Sequence, residues 1–158
     1  MTITFQLAKH FREVYFGGNW TDVNLKDTLL GIDWQRATTK VYSFNTIAAL
    51  VYHINYYVTA IIKVFEERPL DSSDKYSFTL DPIVSQDDWE KLLDKTFSEA
   101  EKFTGLIEQL PESKLPEVFV NDKYGNYLRN ILGVIEHTHY HLGQIVLIKK
   151  LILENSQK

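Results

Sequence analysis

With 158 residues, 44% of them hydrophobic and 24% charged, the chain has the length and composition of one globular domain, which excludes a disordered or fibrous protein. It contains no cysteine, so a disulfide framework, a Cys-ligated zinc or iron–sulfur site and a cysteine nucleophile are all excluded. A net charge of −4 argues against a nucleic-acid partner, because phosphate binding relies on clustered Lys and Arg.

Uninterrupted apolar runs such as Ile47 to Val51 fall far short of the ~18 residues that a spanning helix needs, so no membrane partner is expected. The opening Met1-Thr2-Ile3-Thr4-Phe5-Gln6 has neither a basic n-region nor a long apolar h-region. The expectation is a cytoplasmic protein with one domain over residues 1–158.

The first helical pattern covers about Thr2 to Phe16, with Thr4, Leu7, Ala8, Phe11, Val14 and Tyr15 on one face. Gly17-Gly18 stops it. A connection to Tyr42 follows, with Asn24 and Asp33 as N-caps of short helical turns over Leu25–Leu30 and Trp34–Ala37. Trp20 and Trp34 are expected to fold this segment onto the remainder, since large rings seldom stay fully exposed.

The second long helix is predicted from Asn45 to Glu67, capped by Ser43 or Asn45 and ended by Arg68-Pro69. Pro69 to Val84 reads as loop. Ser85 and Asp88 resemble a capping box, opening a third helix with a stripe of Trp89, Leu92, Leu93, Thr96, Ala100, Phe103, Ile107 and Leu110. Pro111 and Pro116 bracket the next loop, and a fourth helix runs from near Tyr124–Asn126 to about Glu154. Four amphipathic segments without strand alternation predict an all-α four-helix bundle, with two connections long enough to cross from end to end.

The chemistry concentrates in Glu136-His137-Thr138-His139-Tyr140-His141-Leu142-Gly143-Gln144. His137 and His141 are four apart and share a helix face, the spacing with which one helix offers two imidazoles to a metal. A histidine-rich helix surface produces the same spacing without a metal. His139 points about 200° away and cannot join them. The His137 face also carries Asn126, Asn130, Val134, Gln144 and Ile148. His53 lies on the predicted inner face of the second helix with Ala49, Leu50, Tyr57 and Ala60, whereas His10 is peripheral. Three histidines with no dedicated carboxylate leave a coordination position open, as catalytic zinc sites do, and imidazole also suits nickel, copper and iron.

His53, followed on the fourth helix by His137-x-x-x-His141-x-Gly143-Gln144, resembles the DinB-like (YfiT-like) superfamily of four-helix bundles, over nearly the whole chain. The resemblance implies an up-down-down-up bundle, a divalent metal (zinc or nickel) on His53, His137 and His141, and a homodimer. It also implies that Gly143 spares neighbouring helices a side chain. Gln144 would hydrogen-bond a ligand or the substrate, or serve as a packing amide. Most of Tyr52, Tyr56, Tyr57, Tyr127 and Tyr140, clustered near the histidine turns, are expected to be core or interface rings. Asp122 and Asn126 are expected to cap the fourth helix rather than reach the site mouth.

Family chemistry includes thiol-S-transferases that use low-molecular-weight thiols such as bacillithiol. The expected function is therefore thiol-dependent S-transfer on a small-molecule substrate. A metal-dependent hydrolase and a non-catalytic metal-binding or stress-response module are the alternatives. No side chain stands out as a general base.

Overall fold

The computed structural model describes residues 1–155, and every regular element in them is helical. The Thr2 hydroxyl accepts from the Phe5 N–H and starts α1 (Ile3–Phe16), which buries the six residues that its sequence pattern selects. Gly17 ends α1 at φ +103°, ψ 164°, a backbone region open essentially to glycine. Asn24 and Asp33 cap α2 (Leu25–Leu29) and α3 (Trp34–Thr38) by accepting from the N–H groups of Asp27 and Arg36.

The two tryptophans of this connection part company. Trp34 packs against the core, but Trp20 is 100% exposed. The neighbouring Asn19 anchors the turn instead. Its Nδ2 donates to the carbonyls of Glu13 and Val23, and its Oδ1 accepts from the backbone N–H and hydroxyl of Thr21. With Asn19 satisfying that backbone, the indole has no packing role.

Helix α4 (Ile47–Phe65) is capped by Thr46, whose hydroxyl accepts from the Ala49 N–H, rather than by Ser43 or Asn45. It also stops earlier than the proline predicts. Glu67 adopts a left-handed φ of +59°, while the Arg68 N–H bonds Lys63 O and the Glu67 N–H bonds Val64 O. That is a Schellman stop, and Pro69 follows it. A single 3₁₀ turn, Asp74–Tyr76, interrupts the connection to α5 (Gln86–Gln109). Helix α5 opens on the expected reciprocal cap, with the Asp88 N–H donating to the Ser85 hydroxyl and that hydroxyl donating to the Asp88 carboxylate. A second 3₁₀ turn, Glu112–Lys114, precedes α6 (Tyr127–Asn155). The Asn126 side chain accepts from the Arg129 N–H at the start of α6, which is the capping role expected of it.

Side-chain pairs set the helix directions. Phe11 meets Phe103 at 5.0 Å and Phe16 meets Phe97 at 5.8 Å, so α1 runs antiparallel to α5. Asn55 donates to Glu99 and Phe65 packs on Phe103, so α4 and α5 run parallel. Phe65 also meets Tyr127, while His53 meets His137, which sets α4 antiparallel to α6. The core between these helices includes the fully buried Phe11, Tyr15, Ile54, Trp89, Phe103 and Ile131.

Helix α4 is also the one described helix long and apolar enough to cross a membrane, with a mean hydropathy of 1.4, and 67% of that span is buried inside the protein. Counting uninterrupted apolar runs misses it, because Tyr52, His53 and Asn55 break the run without making the window polar.

Candidate metal centre

Three imidazoles from two helices converge. His53 comes from the middle of α4, and His137 and His141 come from one face of α6. His53 and His141 are buried and His137 is half-buried. His137 Nε2 lies 3.1 Å from His53 Nε2 and 3.1 Å from His141 Nε2. The ligand atoms of the three residues all fall within 4.8 Å of one another, and they form a group that could hold a metal ion. Nitrogens at 2.0–2.1 Å from a tetrahedral metal sit about 3.3 Å apart, so little movement would be needed.

The outer nitrogens decide which lone pairs face inward. His53 Nδ1 lies 3.2 Å from the Ser77 carbonyl, which can only accept. His141 Nδ1 lies 2.7 Å from Gln144 Oε1, also an acceptor. Each Nδ1 therefore carries the hydrogen, and each Nε2 presents a lone pair to the centre. A neutral His137 has one N–H and can direct it to only one of two neighbours 3.1 Å away. Without a cation, lone pairs are left facing each other in a buried space. The donor set fits a divalent metal, and the Ser77 and Gln144 acceptors orient the ligands as outer partners of metal-bound histidines do.

The same crowding controls protonation. Burial, then the neighbouring His141 and His53, push the His137 imidazole down to about 4. Burial also lowers His53, opposed by its bond to the Ser77 carbonyl, and lowers His141, opposed by Gln144. The neutral, ligating form is thus favoured at neutral pH.

Aromatic rings wall the centre. Phe78 stacks on His53 with centroids 3.9 Å apart and planes 9° apart. Tyr57 meets both His53 and His137 in T-shaped contacts, as Tyr140 does His141. The Tyr57 hydroxyl donates to Asp74 Oδ1 at 2.9 Å. Of the other tyrosines near the histidine turns, Tyr127 packs on Phe65 and Phe119, and Tyr52 and Tyr56 line a separate cavity beside α5.

Ser77, Phe78 and Asp74 are the contributions that sequence reasoning missed. They sit in a connection that reads as loop, and a carbonyl acceptor has no side-chain signature. His139 is excluded as expected, with its ring 6.2 Å from that of the exposed His10 on α1. Gly143 departs from expectation. It is exposed, and a Cβ there would meet nothing within 4 Å, so no neighbouring helix requires a glycine. Asn130 belongs to the helix start, donating to the Tyr124 and Asn126 carbonyls rather than extending the polar ladder to the histidines.

No protein-family model, no curated protein and no solved structure matches this chain.

Proposed function

We propose that the protein is a divalent-metal-dependent enzyme built as a DinB-like four-helix bundle, and that it catalyses thiol-dependent S-transfer of the bacillithiol-transferase kind. One observation carries the proposal: His137 Nε2 lies at hydrogen-bond distance from the Nε2 atoms of both His53 and His141, and those two have their outer N–H already committed. His53, His137 and His141 are the ligands, with zinc or nickel as the metal. The antiparallel α1–α5 and α4–α6 pairs, with α4 parallel to α5, support an up-down-down-up bundle.

A metal held there lowers the pKa of a ligated water or thiol and supplies a nucleophile at neutral pH. The protein's own part is to hold the imidazoles neutral and aimed inward through Ser77 and Gln144. Phe78, Tyr57 and Tyr140 shield the centre from bulk water. In the transfer, the thiol sulfur forms a bond to an electrophilic carbon, the leaving group departs with its electron pair, and the thiol proton passes to solvent.

Hydrolysis is the second reading, and Tyr57 supports it. Its ring adjoins two of the histidines and its hydroxyl is hydrogen-bonded to Asp74, so the pair offers a proton path that S-transfer does not require. We further propose a homodimer, supported by exposed large apolar residues such as Leu30, Tyr42 and Val84. Light scattering at micromolar concentration should give twice the chain mass, and a monomer mass rejects the dimer.

Elemental analysis of tag-free protein should find about one zinc or nickel per chain. The loaded protein should then conjugate a low-molecular-weight thiol to an electrophilic chromogen. Metal without conjugation, but with ester or amide cleavage, selects the hydrolase. Metal with neither activity selects a binding module.

A further inference from the structure

A cavity of about 290 Å³ lies along α4 and α6 from the histidine centre, and Gln144 connects the two. Phe44, Leu50, Leu147 and Ile148 form its walls, and only Ser43, Asn45 and Gln144 bring polar groups, none of them ionisable. Leu50 precedes His53 by three residues on α4, and Gln144 and Ile148 follow His141 by three and seven on α6. The two helices are antiparallel, so the offsets lead in the same direction, to about 4.5 Å beyond the ligands at Leu50 and Gln144 and about 10.5 Å at Ile148. Gln144 belongs to both places: its Oε1 accepts from His141 Nδ1, and its side chain lines the cavity.

A larger cavity of about 500 Å³ lies between α4, α5 and the connection between them; no histidine lines either cavity, but three lysines and three aspartates line the larger one, and none of its lining residues bonds a histidine of the centre. The smaller cavity instead joins an apolar wall to Gln144, the outer partner of His141. It also accounts for two exposed apolar side chains, since Phe44 is 50% and Leu147 63% exposed at its rim.

We infer that this cavity binds the apolar part of the substrate, an uncharged group about the size of a short alkyl chain or a single aromatic ring, and places the substrate's reactive end at the histidine centre. The inference rests on the metal-centre reading above and names the substrate class for it. A charged substituent is rejected, because no lining group can pair with it and its desolvation would be uncompensated. Small-molecule sites are commonly built this way, apolar walls with a few fixed polar groups, and this one lies at the small end of their size range.

An n-alkyl hydroxamate series, from acetohydroxamate to octanohydroxamate, tests the inference by calorimetric titration into zinc-loaded full-length protein. The hydroxamate head reports on the metal, and the chain reports on the cavity. Affinity should rise about 4-fold per methylene until the cavity is filled and then level off. Leu147→Asp and Phe44→Ser alter exposed rim positions and should leave acetohydroxamate within about 2-fold of its original affinity. Both should flatten the chain-length gain towards 1-fold per methylene, while Leu147→Met retains it.

Acetohydroxamate binding with no chain-length gain overturns the cavity inference and leaves the metal centre standing. A gain that survives both rim substitutions places the chain elsewhere and also overturns it. Failure of the protein to take up stoichiometric zinc removes the centre, and the inference with it.

Discussion

His139 sits two residues from His137 and two from His141, yet it shares a surface with His10 rather than with either of them. That separation makes it an internal control. His137→Ala and His141→Ala should each abolish stoichiometric metal binding while helicity by circular dichroism stays nearly unchanged. His139→Ala should keep full metal content. Protonation gives a second test at this scale. His137 in the folded protein holds its proton only below about 4, against an ordinary value of 6.5. Between those values the unfolded chain binds more protons, so stability rises with pH across the window. Metal-free protein should therefore be most stable above about pH 6.5, with its melting temperature falling as the pH drops from there and this contribution fully lost below about 4. His137→Gln should flatten that slope, and an unchanged slope would discard the crowded-imidazole account. His137 and His141 were legible together in the sequence because helical spacing fixes which side chains share a face, and the apolar face of α4 showed that His53 looks inward; only the family resemblance put the three in one group. Phe78 and the Ser77 carbonyl were not, since a chain reversal brings them to His53 from 24 residues away.

Helix ends were legible wherever the capping group acts locally, as at Asn24, Asp33 and Ser85. Ser85→Ala should cost about 0.5–2 kcal/mol in thermal or denaturant unfolding. The α4 start was harder, because Ser43, Asn45 and Thr46 are all competent caps within four residues. Burial of Ile47 and Ala48 settles the register, and burial depends on neighbouring helices. At the other end, Glu67 holds a positive φ that glycine accepts without strain. Glu67→Gly should therefore leave stability unchanged or raise it by up to about 1 kcal/mol, whereas Glu67→Val should lower it. Trp20 shows the limit of reasoning from side-chain size. One asparagine with four hydrogen bonds fixes its turn, so Trp20→Ala should change stability by less than about 0.5 kcal/mol.

Across the described residues, four long helices contribute most of the buried apolar side chains, and the histidine group is small beside them. Removing a bound metal with a chelator should therefore lower the melting temperature and leave the helical content in place. Ligand linkage sets the scale, with about 2.7 kcal/mol lost on going from a metal concentration of 100 times Kd to none. A zinc-finger-like collapse on chelation would contradict this division of labour. The all-helical class was plain in the periodicity. Which helices run parallel was not, because that depends on pairs such as Asn55 with Glu99, far apart in the chain.

The bond from His53 to the Ser77 carbonyl ties the middle of α4 to the connection before α5. Phe78, the next residue, stacks on the same imidazole. Any cation that fixes the His53 ring therefore also fixes this stretch of backbone, although no residue in it is a ligand. Occupancy of the centre should be readable from outside it. Amide hydrogens around residues 73–79 should exchange with deuterium more slowly when metal is bound, and a protease should cut the connection less readily.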